Sequence, residues 1–329
     1  MKVSVIIPSY NRSDALKLTL DRLSAQDFDG DWEVIVVNNN STDDTNAVVA
    51  AQQLPCPLRL VERTTPGAVA SSRNAGAREA RGEYMIFIDN DILVEPCFVS
   101  SHVDLLESNP LCWVLGEILP LPEQENLPLG KFRKELQPES ISNGVHETLG
   151  FTGANFSLPR TDFEKLGGFD EGFFISSSED QEFALRARTE LGVKVLSAPH
   201  IVGVHNDWAG WTFEDYCRRQ GLYSHTDYYF WQRYGERHPR IQLVTESLPV
   251  DIRKDPARVL VRKVGKRLLG SQGSQIVLIR LATILERVAM ARPLLWILYK
   301  LALAGAIDRG LREGRETYLL KEKDRIRVA

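Results

Sequence analysis

The chain has 329 residues, 43% hydrophobic and 26% charged, a balance that allows a sizeable buried core and excludes disordered, collagen-like and membrane-dominated classes. Its net charge of −4 hides two parts: residues 251–329 carry 18 Lys and Arg against 8 Asp and Glu, net +10, and residues 1–250 carry 22 against 36, net −14. The acidic body excludes a basic nucleic-acid platform, and the basic tail points to a different partner from that of the body.

The first 90 residues alternate between strand and helix. Val3–Ile7 is an apolar run ended by Pro8, as expected of a buried parallel strand. The run is too short for the apolar core of a signal peptide. A helix is expected over 14–25, N-capped by Ser13, then a strand at 34–37. A second helix over 43–53 follows Ser41 and Thr42, with Asp43 and Asp44 favourable in its first turn. A strand at 58–61, an alanine-rich helix at 71–80 and a strand at 84–88 complete the series. Such alternation predicts an α/β fold with a mostly parallel sheet flanked by helices.

Further on, a helix is expected at 97–108, a strand at 113–119 and a proline-rich loop over 120–145. Order returns at 151–158, then come a helix at 179–191, a strand at 193–196 and one long aromatic helix at 211–233. Pro239, Pro249 and Pro256 mark a boundary. The tail reads as all-helical, with helices at 259–269, 275–291, 294–307 and 311–326, and charged residues interrupt every apolar run before it could span a bilayer. The expected division is a catalytic domain over 1–240 (halves 1–95 and 96–240), a linker over 241–255 and a helical C-terminal extension over 256–329. Cys56, Cys97, Cys112 and Cys217 form no CxxC pair and read as free buried thiols in a reducing compartment.

Sheets of this kind bind ligands beyond the carboxyl ends of their strands. Polar clusters fall at such places: Asn38-Asn39-Asn40 after the second strand, Asp89-Asn90-Asp91 after the fourth, and Glu179-Asp180 opening a helix. Two carboxylates one residue apart repel unless a cation sits between them or they point apart, and Mg²⁺ or Mn²⁺ takes such oxygens while keeping positions for phosphate. Asp180 is a candidate general base, although carboxylates at a helix N-terminus also serve as plain caps.

The ordered set VSVIIPSYNR, VIVVNNNSTDDT, ASSRNAGAREARGEYMIFIDNDI, FTGANFSLPR, LGGFDEGFF and SSSEDQEFALRAR resembles the family 2 glycosyltransferases over about residues 2–235. The resemblance implies a GT-A, Rossmann-like fold and inverting transfer of a hexosyl unit from a nucleoside-diphosphate sugar, UDP-linked by preference, to a hydroxyl of a glycan or lipid-linked acceptor in cell-envelope glycan synthesis. It implies a divalent metal, Mn²⁺ or Mg²⁺. Pro8, Tyr10, Arg12, Asn38, Asn39, Arg73, Asn74, Asp89 and Asn90 would line the nucleotide-sugar pocket, and Gly153, Ala154 and Asn155 would face the sugar and acceptor. Asp91, with Asp89 and His205, would hold the metal. Asp180 matches the family's base, Glu179 would orient the acceptor or sugar, and Arg186 would brace their helix. One departure stands out: the family usually carries an acidic residue in the loop after the second strand, and this chain has asparagines, which accept a base N–H without charge assistance.

Two other readings are a sugar-nucleotide nucleotidyltransferase and a non-catalytic nucleotide-sugar-binding protein. The first normally has a glycine-rich loop after its first strand, where this chain has Pro8-Ser9-Tyr10-Asn11-Arg12; the second has no need of Asp180. In the tail, the run 294–301 is apolar nearly all round and follows Arg253, Lys254, Arg258, Arg262, Lys263, Lys266 and Arg267. That pattern suits a helix lying on an anionic membrane surface, and equally one packing on the catalytic domain or on a second subunit of a homo-oligomer. The expected location is cytoplasmic, with peripheral contact at the inner face of the membrane.

Overall fold

The structure is a computed structural model describing residues 1–136, 144–173, 178–207, 211–237, 239–288 and 292–328, with side chains up to 320. In chain order the elements are β1 (Val3–Ser9), α1 (Ser13–Leu23), β2 (Trp32–Asn38), α2 (Thr45–Ala51), β3 (Leu58–Glu62), α3 (Val69–Glu79), β4 (Tyr84–Ile88), β5 (Ile92–Val94), α4 (Phe98–Ser108) and β6 (Cys112–Pro120). There follow α5 (Pro122–Glu125), α6 (Pro128–Leu136), β7 (His146–Glu147), β8 (Asn155–Pro159), α7 (Arg160–Leu166), α8 (Glu179–Arg186) and β9 (Lys194–His205). Last come α9 (Phe213–Ser224), α10 (Asp227–Tyr234), α11 (Ile241–Ser247), α12 (Ala257–Leu269), α13 (Gln272–Leu285) and α14 (Arg292–Val328).

Two compact units result. The first spans 1–123, 138–174 and 179–207; the second spans 124–137, 175–178 and 208–329. The helical unit therefore takes in 211–240 as well as the tail, and 241–247, expected as linker, is helical.

The sheet runs β3-β2-β1-β4-β8-β6-β9-β5, with β7 paired to β9. The block β3-β2-β1-β4 is parallel and is the part foreseen from the apolar runs. Beyond β4 the sheet is mixed: β8 lies antiparallel to β4 and β6, while β9 runs parallel to β6. Every residue of β1 and β2 is buried, because helices cover both faces. One core layer gathers Leu16, Leu20 and Leu23 of α1 with Val34, Val36 and Ile86. The other gathers Ile6, Ile35 and Phe87 with Phe156, Phe163, Phe169 and Phe183.

Several expectations are corrected. Ser13 does not cap α1: its backbone N–H donates to Asp43 Oδ2 at 2.8 Å, so a neighbouring loop supplies the cap. Asp43 and Asp44 precede α2 rather than filling its first turn, and Asp43 Oδ1 accepts from the Thr45 N–H at 3.2 Å. The stretch 120–145 contains α5 and α6, since Leu129 and Phe132 bury in the helical core; residues 137–143, Phe174, Ser176, Ser177 and the expected helix end at Ala291 lie outside the described residues. The long aromatic helix is two, α9 and α10, and buried Asp227 opens the second, accepting from Ser178 Oγ at 2.8 Å and Arg240 Nη2 at 2.7 Å. The last two expected helices are one, α14. Gly310 allows this helix to pass close to α9: a Cβ there would stand 1.9 Å from the Gly221 carbonyl oxygen. The cysteines are free, but Cys97 is exposed and only Cys217 is buried.

Candidate active site

The polar loops at the carboxyl ends of β1, β2 and β4 collect at one rim of the first unit. After β1, Asn11 adopts a left-handed backbone with φ 49°, as does Asn40 after β2 with φ 61°, a conformation asparagine tolerates better than most residues. The two loops brace each other, the Thr42 N–H donating to Asn11 Oδ1 at 2.7 Å. Pro8 is buried within β1. Tyr10 stands 56% exposed, leaving its ring open to stack on a ligand.

One cluster centres on Arg73 of α3. Its guanidinium donates from Nη1 to Glu179 Oε1 at 2.8 Å and from Nη2 to Asp89 Oδ1 at 3.0 Å. The loop after β4 and the start of α8, 90 residues apart in sequence, are thereby tied together. Arg73 sits over the ring of Phe169. A Cβ at Gly153 would lie 2.6 Å from its guanidinium carbon, so glycine at 153 is required by close approach. Burial raises the Glu179 carboxyl to about 7, reinforced by the charge of Asp180 and opposed by Arg73. Asp180 is held differently: Oδ2 accepts from the Gly153 N–H at 2.9 Å and Oδ1 from the Gln181 N–H at 2.7 Å. Arg186 donates to the carbonyls of Leu166 and Gly168 and pairs with Glu182, bracing α8 against the loop after α7.

The second cluster was only partly anticipated. Asp91 Oδ2 lies 3.3 Å from His205 Nε2 and 3.2 Å from Arg12 Nη1, and the same Arg12 nitrogen lies 3.1 Å from Asp207 Oδ1. Ligand atoms of Asp91, His205 and Asp207 all fall within 4.8 Å of one another. Burial lowers the affinity of His205 for a proton, but the hydrogen bond and charge of Asp91 prevail, with Asp207 and Asp89 adding to them, and its pKa is raised. Asp207 was missed in the sequence; the signal was its place two residues after His205 at the end of β9. Asp89, expected beside Asp91 on the metal, pairs instead with Arg73: the chain turns at Asn90 and Asp91, the Ile92 N–H donating to the Asp89 carbonyl at 3.4 Å, which breaks the period-2 alternation that would put residues 89 and 91 on one face.

Five candidates serve the scaffold. Asn38 donates to Asn46 Oδ1 and accepts from the Ser41 N–H; Asn39 donates to the Gly67 carbonyl and accepts from Arg63 Nη1. Both amides are thus committed to shaping their loops. Asn74 binds both backbone groups of Phe169 and is not turned towards a phosphate. Asn90 donates to Ser9 Oγ. Asn155 does not face a sugar: it is fully buried, donating to the carbonyls of Glu117 and Ile201 and meeting His102 Nε2 at 3.0 Å. Ala154 contributes its carbonyl to the Asp89 N–H at 3.2 Å. His102 is correspondingly held neutral, burial depressing it to about 4.

The donor set of Asp91, His205 and Asp207 suits Mn²⁺ or Mg²⁺, hard enough for carboxylates and, for Mn²⁺, compatible with imidazole. Two buried carboxylates there, 7% and 2% exposed, call for positive charge, and the Arg12 guanidinium already supplies part of it.

Residues 4–166 match the model of glycosyl transferase family 2. Over 214 residues the chain is 32% identical to validoxylamine A glucosyltransferase of Streptomyces hygroscopicus subsp. jinggangensis, an alignment covering 56% of this chain and 50% of that protein. It is 36% identical over 256 residues to the uncharacterized glycosyltransferase YfnE of Bacillus subtilis, covering 63% and 65% respectively. The chain thus spans about half to two thirds of the length of these curated relatives. Among solved structures, the mannosyltransferase PcManGT of Pyrobaculum calidifontis, in complex with GDP-Man and Mn²⁺, superposes with a TM-score of 0.61 at 20% identity, covering 94% of this chain and 86% of that one. Residues 1–349 of S. aureus TarS, in complex with UDP-GlcNAc, superpose at 0.55 and 18% identity, covering 95% and 92%. These likenesses place the α/β architecture among GT-A folds, and residues 4–166, just under half of the chain, carry the match to glycosyl transferase family 2.

Proposed function

We propose that the chain is an inverting glycosyltransferase that moves a hexosyl unit from a nucleoside-diphosphate sugar to a hydroxyl of a glycan or lipid-linked acceptor. The observation that carries the reading is the Arg73 bridge between Asp89 and Glu179, which brings the loop after β4 and the start of α8 to one rim. Asp180, next to Glu179, accepts two backbone N–H groups and keeps lone pairs for an incoming hydroxyl. It takes the hydroxyl proton as the acceptor oxygen attacks the anomeric carbon. The bond from that carbon to the diphosphate oxygen breaks on the opposite face, which inverts the configuration. Glu179, its Oε1 held by Arg73, stands beside the base and would orient the sugar or acceptor. A divalent cation on Asp91, His205 and Asp207 would offset charge on the departing diphosphate. Tyr10 offers its exposed ring to the base.

UDP remains the favoured nucleotide, and a donor panel with UDP, dTDP and GDP sugars tests it; the committed amides of Asn38 and Asn39 leave base reading to backbone groups and Tyr10. The reading places the protein in the cytoplasm, peripheral to the inner face of a membrane, acting in cell-envelope glycan synthesis. Asp180→Asn is the direct test. Nucleotide-sugar binding persists while transfer falls steeply; turnover near that of the unaltered protein removes Asp180 from the role of base.

A further inference from the structure

The helical unit presents apolar stripes to solvent. On α12, Val261, Val264 and Leu268 are 73, 47 and 66% exposed and recur on one helix face. On α13, Val277, Leu281 and Ile284 do the same, followed by Val288, and on α14 Leu294, Ile297 and Leu301. The opposite flanks of α13 and α14 already fill the core of the unit, through Leu278, Ala282, Leu285, Leu295, Trp296 and Tyr299. These helices are therefore apolar on two sides, only one of which is covered. The run around 294–301, apolar nearly all round in sequence, owes its aromatic residues to the core, and the elbow of α12 and α13 carries most of the uncovered surface.

Charge decides what could cover it. Residues 256–301 contain nine Lys and Arg and one acid, Glu286, net +8. Three of the basic residues turn inward: Arg262 and Lys266 pair with Glu246, and Lys263 with Asp255. Arg258, Arg267, Arg280 and Arg287 are exposed and form no ion pair among the described residues. By helical period, Arg258 and Arg267 flank the α12 stripe on opposite sides, and Arg280 and Arg287 share one edge of the α13 stripe. Apolar residues bordered by long arginines whose heads reach outward match the boundary between acyl chains and headgroups. A second copy of this surface would bring like charge against like.

We infer that the α12–α13 elbow and the start of α14 dock on an anionic lipid bilayer. The helices lie in the interface: among the described residues no single helix is long and apolar enough to cross a membrane, α12 and α13 reach that length only as a pair bent by 74°, and the inward ion pairs hold α12 on the protein. The inference deepens the membrane contact in the proposed function, yet its readout needs no turnover.

Flotation of the full chain with vesicles of phosphatidylglycerol and phosphatidylcholine, against phosphatidylcholine alone, is the test. The protein rises with the anionic vesicles, less so as salt is added. The pair Leu281→Asp and Ile284→Asp lowers the apparent affinity by about tenfold or more, and Arg280→Gln or Arg287→Gln by about fivefold each. All four positions are exposed, so thermal melts stay unchanged. Absence from both vesicle fractions, or flotation indifferent to these substitutions, overturns the inference. So does light scattering that finds a dimer which Leu281→Asp with Ile284→Asp dissolves, in a protein that ignores vesicles. Asp180→Asn floats normally, which separates failure of the docking surface from failure of the enzyme assignment.

Discussion

Arg73 and Arg12 each hold two carboxylates from distant parts of the first unit, and they differ in access to water. The Arg73 side chain is 4% exposed and its partner Glu179 is 5% exposed, whereas Arg12 is 33% exposed between Asp91 and Asp207. A buried pair broken on one side leaves an uncompensated charge in a poor dielectric. Arg12 reaches solvent while Asp91 and Asp207 are buried, so this pair can release its guanidinium only in exchange for another positive charge. The first cluster therefore fixes geometry, and in the proposed function the second would trade Arg12 for a metal ion on Asp91, His205 and Asp207.

The comparison can be broken at several points. Asp180→Asn, beside the rigid cluster, has the largest expected effect: kcat falls by roughly 10²–10⁴, with donor affinity by calorimetry preserved because Arg73 stays in place. Arg73→Met strands Glu179 and Asp89, and urea melts register a loss of about 3–5 kcal/mol; a loss below about 1 kcal/mol makes the buried bridge incidental. Glu179→Gln sharpens the point through pH. The folded protein raises this carboxyl from 4.5 to about 7, so its contribution is fully present below 4.5 and disappears as pH rises through 7. The glutamine variant lacks that dependence and gains up to about 3 kcal/mol relative to the parent above pH 7, read from denaturation at pH 5 and pH 8. Last is Arg12→Gln, which leaves the buried Asp91 and Asp207 without their arginine, costs about 1–3 kcal/mol and tightens Mn²⁺ binding in the absence of donor. Weaker Mn²⁺ binding in that variant shows that Arg12 assists the cation and does not compete with it.

The parallel half of the fold was legible because β1, β2 and β4 are apolar on both faces, a pattern that needs no tertiary context. The clusters at their ends followed from strand topology. Asp207 escaped notice because nothing local distinguishes it; only the pairing of β9 with β5 and β6 carries it to Asp91. Asn155, Asn74 and Asn90 looked like ligand contacts, since a polar residue in a motif is the same letter whether it meets a sugar or a backbone carbonyl. The helical unit was the least legible part. Its helix boundaries depend on close packing, as at Gly310 against Gly221 and at Asp227 with Ser178, and these contacts span long stretches of chain. The continuous α14 hid behind Gly310, which a single-sequence reading takes as a stop.

The contact between Arg12 and Asp207 spans 195 residues, and it bears on how the protein matures. Contacts of such long range form late, after local hairpins and helices have condensed. A nascent chain that has folded only its parallel half holds Asp91 without His205 or Asp207, so the cation pocket is the last part of the unit to close. Acquisition of Mn²⁺ affinity during refolding should then lag behind the recovery of secondary structure, making metal uptake a clock for the final step of folding.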